Sequence, residues 1–114
     1  MMQDWNKYRD ALALRAAEFG KENPEVPRGM AALGGAAEKS GALEPKIHEL
    51  IALAVAVTTR CDGCISVHTK KAVELGATKQ EITEALSVAI ALNAGAAMVY
   101  SSRVLEARAQ LENL

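Results

Sequence analysis

Apolar and polar residues alternate along most of this chain with the period of an α-helix. In the first segment the apolar side recurs at steps of three and four residues and the charged side chains take the opposite face. The apolar positions are Trp5, Tyr8, Leu12, Ala16 and Phe19. This pattern predicts an amphipathic first helix that ends near Gly20, with its aromatic side chains in the core.

The segment from Pro27 to Ser40 is ambiguous. Its three glycines lower helix stability, yet Met30, Leu33 and Ala37 keep helical spacing. We predict a helix that ends at Gly41, with a loop as the alternative that the paired glycines leave open.

The next segment, from Pro45 to Thr59, has no interior breaker, and its run LIALAVAV is apolar on every side. Periodicity alone does not distinguish a buried strand from a buried helix in such a run. Its length, its alanines and the proline at the first helical position favour a buried helix.

The second half of the chain predicts further helices. One runs from about Asp62 to Leu75 and stops at Gly76, and the next begins at a capping box formed by Thr78 and Glu81. We expect that helix to reach about Asn93, a bend at residues 93–95, and a last helix from about 96 to 111. The fold class is therefore all-α, with five to six helices in a single domain over residues 1–114.

Composition and charge narrow the function classes. The 114 residues carry a net charge of −1 with acids and bases interspersed, so no basic stripe exists for nucleic-acid binding. The N-terminus is too polar for a signal peptide. Residues 50–57 are too few to span a bilayer, and residues 85–100 look too weakly hydrophobic. We expect a cytoplasmic protein without membrane contact, and the apolar content of so small a chain favours a homo-oligomer.

The candidate chemistry lies between Glu49 and His68. Cys61 and Cys64, the only cysteines, form a C-x-x-C pair, and His68 follows Cys64 by one helical turn. On a helix these three side chains fall within roughly 60° of one another. A helix start and a nearby imidazole both favour a thiolate. We predict that Cys64 is the nucleophile, because His68 is nearer to it, and that Cys61 resolves the intermediate into a disulfide.

Glu49 lies at the edge of the apolar run, where an unpaired carboxylate would be costly. It either orients His68 in a proton relay or is a solvated glutamate in the first turns of its helix. Its neighbour His48 is expected at a surface or an interface. A zinc site is the main alternative to redox chemistry, since Cys61, Cys64 and His68 could be ligands. The chain has no second cysteine pair, so redox chemistry is preferred and no metal or bound cofactor is predicted.

With the run ELIALAVA ending in C-x-x-C-x-x-x-H and the following GATxxEI turn, residues 43–94 resemble the carboxymuconolactone decarboxylase superfamily. Within it, they resemble the alkyl hydroperoxide reductase D-like branch. That resemblance implies an all-α fold with the C-x-x-C at the start of a central helix, assembled as trimers or hexamers. It implies a thiol-dependent hydroperoxidase in which Glu49, Cys61, Cys64 and His68 form the relay and the redox dithiol. An external lipoyl or thioredoxin-like dithiol would recycle it.

The chain departs from that branch at Gly63, where the branch's peroxidase carries a histidine before its second cysteine. The relay therefore lacks one group. Decarboxylase members of the superfamily lack the cysteine pair, which argues against lactone decarboxylation here. A decarboxylase that uses His68 and Glu49 for acid–base chemistry, and a non-enzymatic metal-binding module, stay as alternatives to a hydroperoxide or disulfide reductase.

Overall fold

The computed structural model describes residues 1–112 and 114, and this part of the chain contains five α-helices and no strand. The helices are α1 (Trp5–Glu22), α2 (Glu25–Ser40), α3 (Pro45–Thr59), α4 (Asp62–Glu74) and α5 (Lys79–Glu112). The predicted all-α class is confirmed, and so is the ambiguous second helix.

The helix ends follow local sequence signals. Gly41 and Gly76 have φ angles of 67° and 87°, a left-handed conformation that ends α2 and follows α4. The predicted capping box begins α5: Glu81 N–H donates to Thr78 Oγ1 at 3.0 Å, and Thr78 N–H donates to Glu81 Oε1 at 2.9 Å.

The predicted bend at residues 93–95 is wrong, because α5 continues through it as a single helix of 34 residues. Asn93 uses its amide without breaking the helix: Nδ2 donates to Ala89 O at 2.7 Å and to Thr58 Oγ1 of α3 at 2.8 Å. Gly95 costs only about 1 kcal/mol relative to alanine, and it lies among alanines, the strongest helix formers. The two helices predicted before and after residues 93–95 are therefore a single helix, α5.

Helix α3 is the centre of the fold and packs against both α4 and α5, while α1 lies on α4 and α2 on α1. The buried apolar side chains are few and small: Leu53 and Ala56 of α3, Ala72 of α4 and Ala89 of α5. Alanines at these contacts allow the helix backbones to approach closely. Helices α3 and α4 carry Glu49, Cys64 and His68, and Cys61 lies in the connection between them.

The second half of α5 is exposed, and it carries large apolar side chains such as Met98 and Leu105. By length and composition alone, α5 meets the criterion for a membrane span, with a mean hydropathy of 1.6 over 18 residues. This differs from the sequence expectation, which held residues 85–100 too weakly hydrophobic to span a bilayer. Core helices of soluble proteins meet the same criterion but are mostly buried, whereas only 6% of this window is buried in the single chain. The first half of α5 packs on α3.

Candidate active site

A tight connection between α3 and α4 places both cysteines. Arg60 follows α3 with a φ of 56°, a left-handed conformation that reverses the chain direction. Cys61 N–H then donates to Ala56 O at 3.0 Å, which closes the end of α3. The next residue, Asp62, already begins α4. The C-x-x-C pair is thereby fixed at the first turn of α4, as the sequence predicted.

The two cysteines are close enough to form a disulfide. Their sulfurs lie at disulfide-bonding distance and their Cα atoms are 5.3 Å apart, within the usual range. Cys61 is the N-cap of α4, and its Sγ accepts a hydrogen bond from Cys64 N–H at 3.1 Å. Backbone N–H groups at a helix start stabilise negative charge. The Cys61 sulfur is therefore the one that the helix start would stabilise as a thiolate.

Glu49 and His68 form an ion pair or hydrogen bond between α3 and α4. Glu49 Oε2 lies 2.6 Å from His68 Nδ1. The glutamate side chain is only 14% exposed and that of His68 32%. A carboxylate this enclosed needs a partner, so Glu49 is not the solvated glutamate that the sequence left open. The structure brings the pair together, and its catalytic role stays a prediction.

The only hydrogen bond of the His68 ring in the described part of the chain is the one to Glu49. Among the residues that the structure describes, no hydrogen bond joins its ring to either sulfur. In the same part of the chain, no three His, Cys, Asp or Glu side chains are grouped as a metal ion would require. The grouping needed for the zinc alternative is therefore not seen there.

A cavity of about 680 Å³ opens beside Glu49, between the start of α3 and the end of α4. Besides Glu49, its wall includes His48, Lys71 and the turn at residues 41–45. Neither cysteine lines it. His48, expected at a surface or an interface, thus lines the same cavity as Glu49.

An ion pair fixes the start of α3 one turn before Glu49. Lys46 Nζ lies 2.8 Å from Glu81 Oε2, at the start of α5. The hydrogen bond and charge of Glu81 raise the pKa of Lys46 above its ordinary 10.5. The hydrogen bond from Lys46, together with that from Thr78 N–H, lowers the pKa of Glu81 below 4.5. Sequence reasoning found the Glu81 cap but missed this link.

Sequence reasoning also missed the role of Leu12, which it placed only on the apolar face of α1. Its side chain lies directly over Gly63: a Cβ built on that glycine would be 3.0 Å from Leu12 Cδ2. No sequence signal pairs two positions so far apart in the chain.

Comparison with known proteins points to one family. The sequence profile of the Carboxymuconolactone decarboxylase family matches residues 24–107. A protein of Haemophilus influenzae is 50% identical over 107 residues, which cover 94% of this chain and 95% of that protein.

Solved structures agree with this match. The crystal structure of the apo form of a carboxymuconolactone decarboxylase family protein from Legionella pneumophila has a TM-score of 0.73 at 38% identity. It covers 90% of this chain and 91% of that one. A protein from Methanobacterium thermoautotrophicum has a TM-score of 0.71 at 36% identity, over 79% of this chain and 98% of that one.

Proposed function

The chain belongs to the carboxymuconolactone decarboxylase family, and on that premise we propose that it is a thiol-dependent hydroperoxide or disulfide reductase. The observation that carries the proposal is the pair of sulfurs at disulfide-bonding distance at the start of α4. The pair of Glu49 on α3 and His68, one turn after Cys64 on α4, supports it. The proposal includes membership of the alkyl hydroperoxide reductase D-like branch and a cytoplasmic location.

In the oxidative half-reaction, the Cys64 thiolate attacks one oxygen of a hydroperoxide. The O–O bond breaks, the alcohol leaves after taking up a proton, and Cys64 becomes a sulfenic acid. The Cys61 thiol then attacks the Cys64 sulfur, the disulfide forms and water leaves. The enzyme loses two electrons and two protons, and the hydroperoxide gains them.

His68 supplies the base for this chemistry. A neutral imidazole that donates from Nδ1 to the Glu49 carboxylate has an unprotonated Nε2. That nitrogen takes the Cys64 proton through a bridging water, since no hydrogen bond joins the ring to the Cys64 sulfur among the described residues. Glu49 keeps the tautomer fixed and stabilises the imidazolium that results.

In the reductive half-reaction, an external dithiol reopens the disulfide. Its thiolate attacks the Cys64 sulfur, and Cys61 leaves with the bonding electron pair, stabilised by Cys64 N–H. The second thiol of the reductant then displaces Cys64 and closes its own disulfide. The branch resemblance favours a lipoyl group or a thioredoxin-like protein as this reductant, and no bound cofactor is needed.

The glycine at position 63 affects whether hydroperoxides or disulfides should react faster. A relay with a second histidine at this position could protonate a leaving alkoxide, and glycine cannot. Disulfide exchange needs no such proton, because its leaving group is already a stabilised thiolate. We therefore expect disulfide substrates to react better than hydroperoxides.

A decarboxylase acting on a small cyclic acid is the second candidate function. The cavity beside Glu49 favours it, because this space is lined by the Glu49 carboxylate side chain and by neither cysteine. Decarboxylation that survives the replacement of both cysteines by serine would assign the chain to this reaction.

We also propose that the protein is a homo-oligomer, a trimer or hexamer as in the branch that it resembles. A compact monomer of 12.1 kDa exposes about 6,000 Å², whereas this chain exposes 9191 Å². Its radius of gyration is 19.0 Å, against about 13 Å for a compact domain of this length. The excess surface, roughly 3,000 Å², is what an obligate interface buries.

The test is the intact mass of the reduced protein before and after one equivalent of hydroperoxide or a small disulfide. We expect a loss of about two mass units that a dithiol reverses. The variant with both cysteines replaced by serine is the control. An unchanged mass with every substrate would overturn the redox proposal.

A further inference from the structure

Helices α1 and α4 enclose a second cavity, of about 560 Å³. Its wall includes Trp5 and Arg9 of α1 and Ile65 of α4. None of the four candidate site residues lines it, and it shares only one wall residue, Glu74, with the cavity beside Glu49. Neither the redox proposal nor the decarboxylase alternative therefore gives this space a role.

Arg9 is a half-buried cation without a carboxylate partner. Of the 13 lysines and arginines, only Arg9 and Lys46 are half-buried, and the others are exposed. Lys46 is paired with Glu81 at 2.8 Å. In the part of the chain that the structure describes, Arg9 forms no ion pair with any carboxylate. A charge that is partly withdrawn from water is stabilised by an opposite charge, so an anion beside Arg9 would be favoured.

Two hydrogen bonds hold the Arg9 guanidinium at the cavity wall. Nη1 donates to Ser66 O at 3.2 Å, and Nη2 donates to Asn6 Oδ1. Ser66 and Asn6 are themselves wall residues. An arginine has five N–H groups, and the hydrogen bonds seen among the described residues use two of them. The planar guanidinium thus keeps donors free in the arrangement that matches a carboxylate.

The rest of the wall indicates the size and charge of a ligand. Lys70 Nζ lies 2.9 Å from Glu74 Oε1, so these two charges offset each other. With Arg9, the wall has two cations and one carboxylate, which leaves one net positive charge. Trp5 supplies an aromatic surface and Ile65 an apolar one. A ligand with one negative charge and a flat apolar ring would match this wall.

We propose that the cavity between α1 and α4 binds a small aromatic monocarboxylate. The carboxylate accepts N–H bonds from the guanidinium of Arg9, and the ring lies against Trp5, since aromatic rings pack favourably on one another. The volume falls within the range of roughly 300–1,000 Å³ that is usual for small-molecule sites. This binding function does not rest on the proposed redox function.

The experiment uses Trp5 as the reporter. It is the only tryptophan of the chain, so its indole N–H gives a single cross-peak in a ¹⁵N-correlated NMR spectrum. The protein is titrated at constant ionic strength with sodium benzoate, with neutral benzamide of the same shape, and with sodium acetate. The shift of the Trp5 peak gives a dissociation constant for each probe. The variants are Arg9→Gln, Glu74→Gln and, as an exposed control, Lys7→Gln.

Benzoate should bind about tenfold more tightly than benzamide or acetate, because it alone carries both the charge and the ring. Arg9→Gln should weaken benzoate binding about tenfold and leave benzamide within about twofold. Glu74→Gln removes the one carboxylate of the wall and should strengthen benzoate binding about threefold. Lys7→Gln removes a cation outside the cavity and should leave both probes within about twofold.

Equal affinities for benzoate and benzamide would overturn the proposal, and so would a Trp5 peak that no probe shifts. Because Arg9 also holds α1 on α4, Arg9→Gln could weaken both probes by moving α1. Glu74→Gln leaves that contact intact, so unchanged benzoate binding in this variant would also contradict the site. Replacing both cysteines by serine should not alter benzoate binding, so this proposal and the redox proposal fail separately.

Discussion

Glu49 and His68 are 19 positions apart in the chain, yet their side chains meet at 2.6 Å between α3 and α4. The contact exists because Arg60 reverses the chain after α3 and α4 returns alongside it. An enclosed carboxylate beside an imidazole fixes the ring orientation. The first prediction concerns this pair.

Replacing Glu49 by Gln should weaken the activation of Cys64. The amide keeps the size of the side chain but removes the charge that stabilises the imidazolium. We expect the midpoint of alkylation against pH to move up by about one unit, measured with iodoacetamide in the Cys61→Ser background.

Glu74→Gln is the matched control, because its carboxylate pairs with Lys70 on the surface of α4. It should leave the alkylation midpoint in place. The same midpoint for Glu49→Gln and its parent would remove Glu49 from the relay.

Replacing Cys64 and replacing Cys61 by serine should affect the reaction with hydroperoxide in different ways. Cys64→Ser should abolish reaction with hydroperoxide, because the attacking sulfur is gone. Cys61→Ser should react once and then stop as a sulfenic acid or over-oxidise, since no thiol resolves it. Intact mass after one equivalent and after excess peroxide distinguishes the two, and multiple turnover by Cys61→Ser would refute its resolving role.

The sequence predicted the fold well where the signals were local. Proline at the start of α3, glycines after α2 and α4, and the Thr78–Glu81 box each act within one helical turn. It failed at residues 93–95, where a local signal was overridden: Asn93 bonds to α3, and the alanines around Gly95 sustain the helix.

The sequence predicted which residues form the candidate site better than it predicted the contacts between them. Spacing placed Cys61, Cys64 and His68 on one helix, because helical geometry relates positions within a few turns. It left the role of Glu49 open, since that depends on how α3 packs against α4. The Leu12–Gly63 contact joins helices that are distant in sequence, so only the tertiary structure reveals it.

Introducing a histidine at position 63 should increase hydroperoxide turnover only if the Leu12 side chain moves or is replaced by a smaller one. A side chain there starts 3.0 Å from Leu12 Cδ2, so the leucine must move to admit an imidazole. We expect Gly63→His alone to lower the melting temperature. Adding Leu12→Ala should recover stability and raise peroxidase turnover about tenfold, within the usual contribution of a general acid.

Leu12→Ala alone separates the two effects as the control. It should not raise turnover with hydroperoxide, because it adds no proton donor. If the single and double variants turned over alike, the missing histidine would not limit the reaction.

The Lys46–Glu81 ion pair predicts a pH dependence of stability. The folded-state pKa of Glu81 is lowered below 4.5, so its contribution is present above that pH and is lost as pH falls through the folded pKa. The pKa of Lys46 is raised, so its contribution is lost as pH rises above 10.5. The melting temperature should therefore exceed that of Glu81→Gln at neutral pH and converge with it in acid.

Glutamine still supports a capping box, so this comparison isolates the charge. Glu84→Gln, one turn further along α5 and exposed, is the control and should follow the parent at every pH. The pair is partly exposed, with side chains 29% and 36% accessible, so salt should reduce the difference. A difference that persisted unchanged in acid would assign the effect to the cap instead.

A charge on the exposed apolar face of α5 should dissociate the oligomer. Leu105 is 69% exposed in the isolated chain, and burying it at an interface contributes about 2 kcal/mol. Leu105→Asp loses that and adds the larger cost of enclosing an unpaired carboxylate.

Sedimentation velocity should show wild type as a trimer or hexamer and Leu105→Asp as smaller species. Ala107→Asp, about 200° around the helix, places the same charge on another face and should leave the assembly intact. Since subunit contact would cover much of the exposed apolar surface, dissociation should also lower the melting temperature and make it depend on protein concentration. A monomeric wild-type protein with a melting temperature independent of concentration would contradict the assembly proposal. The exposed apolar side chains in the second half of α5 would then have no subunit to cover them.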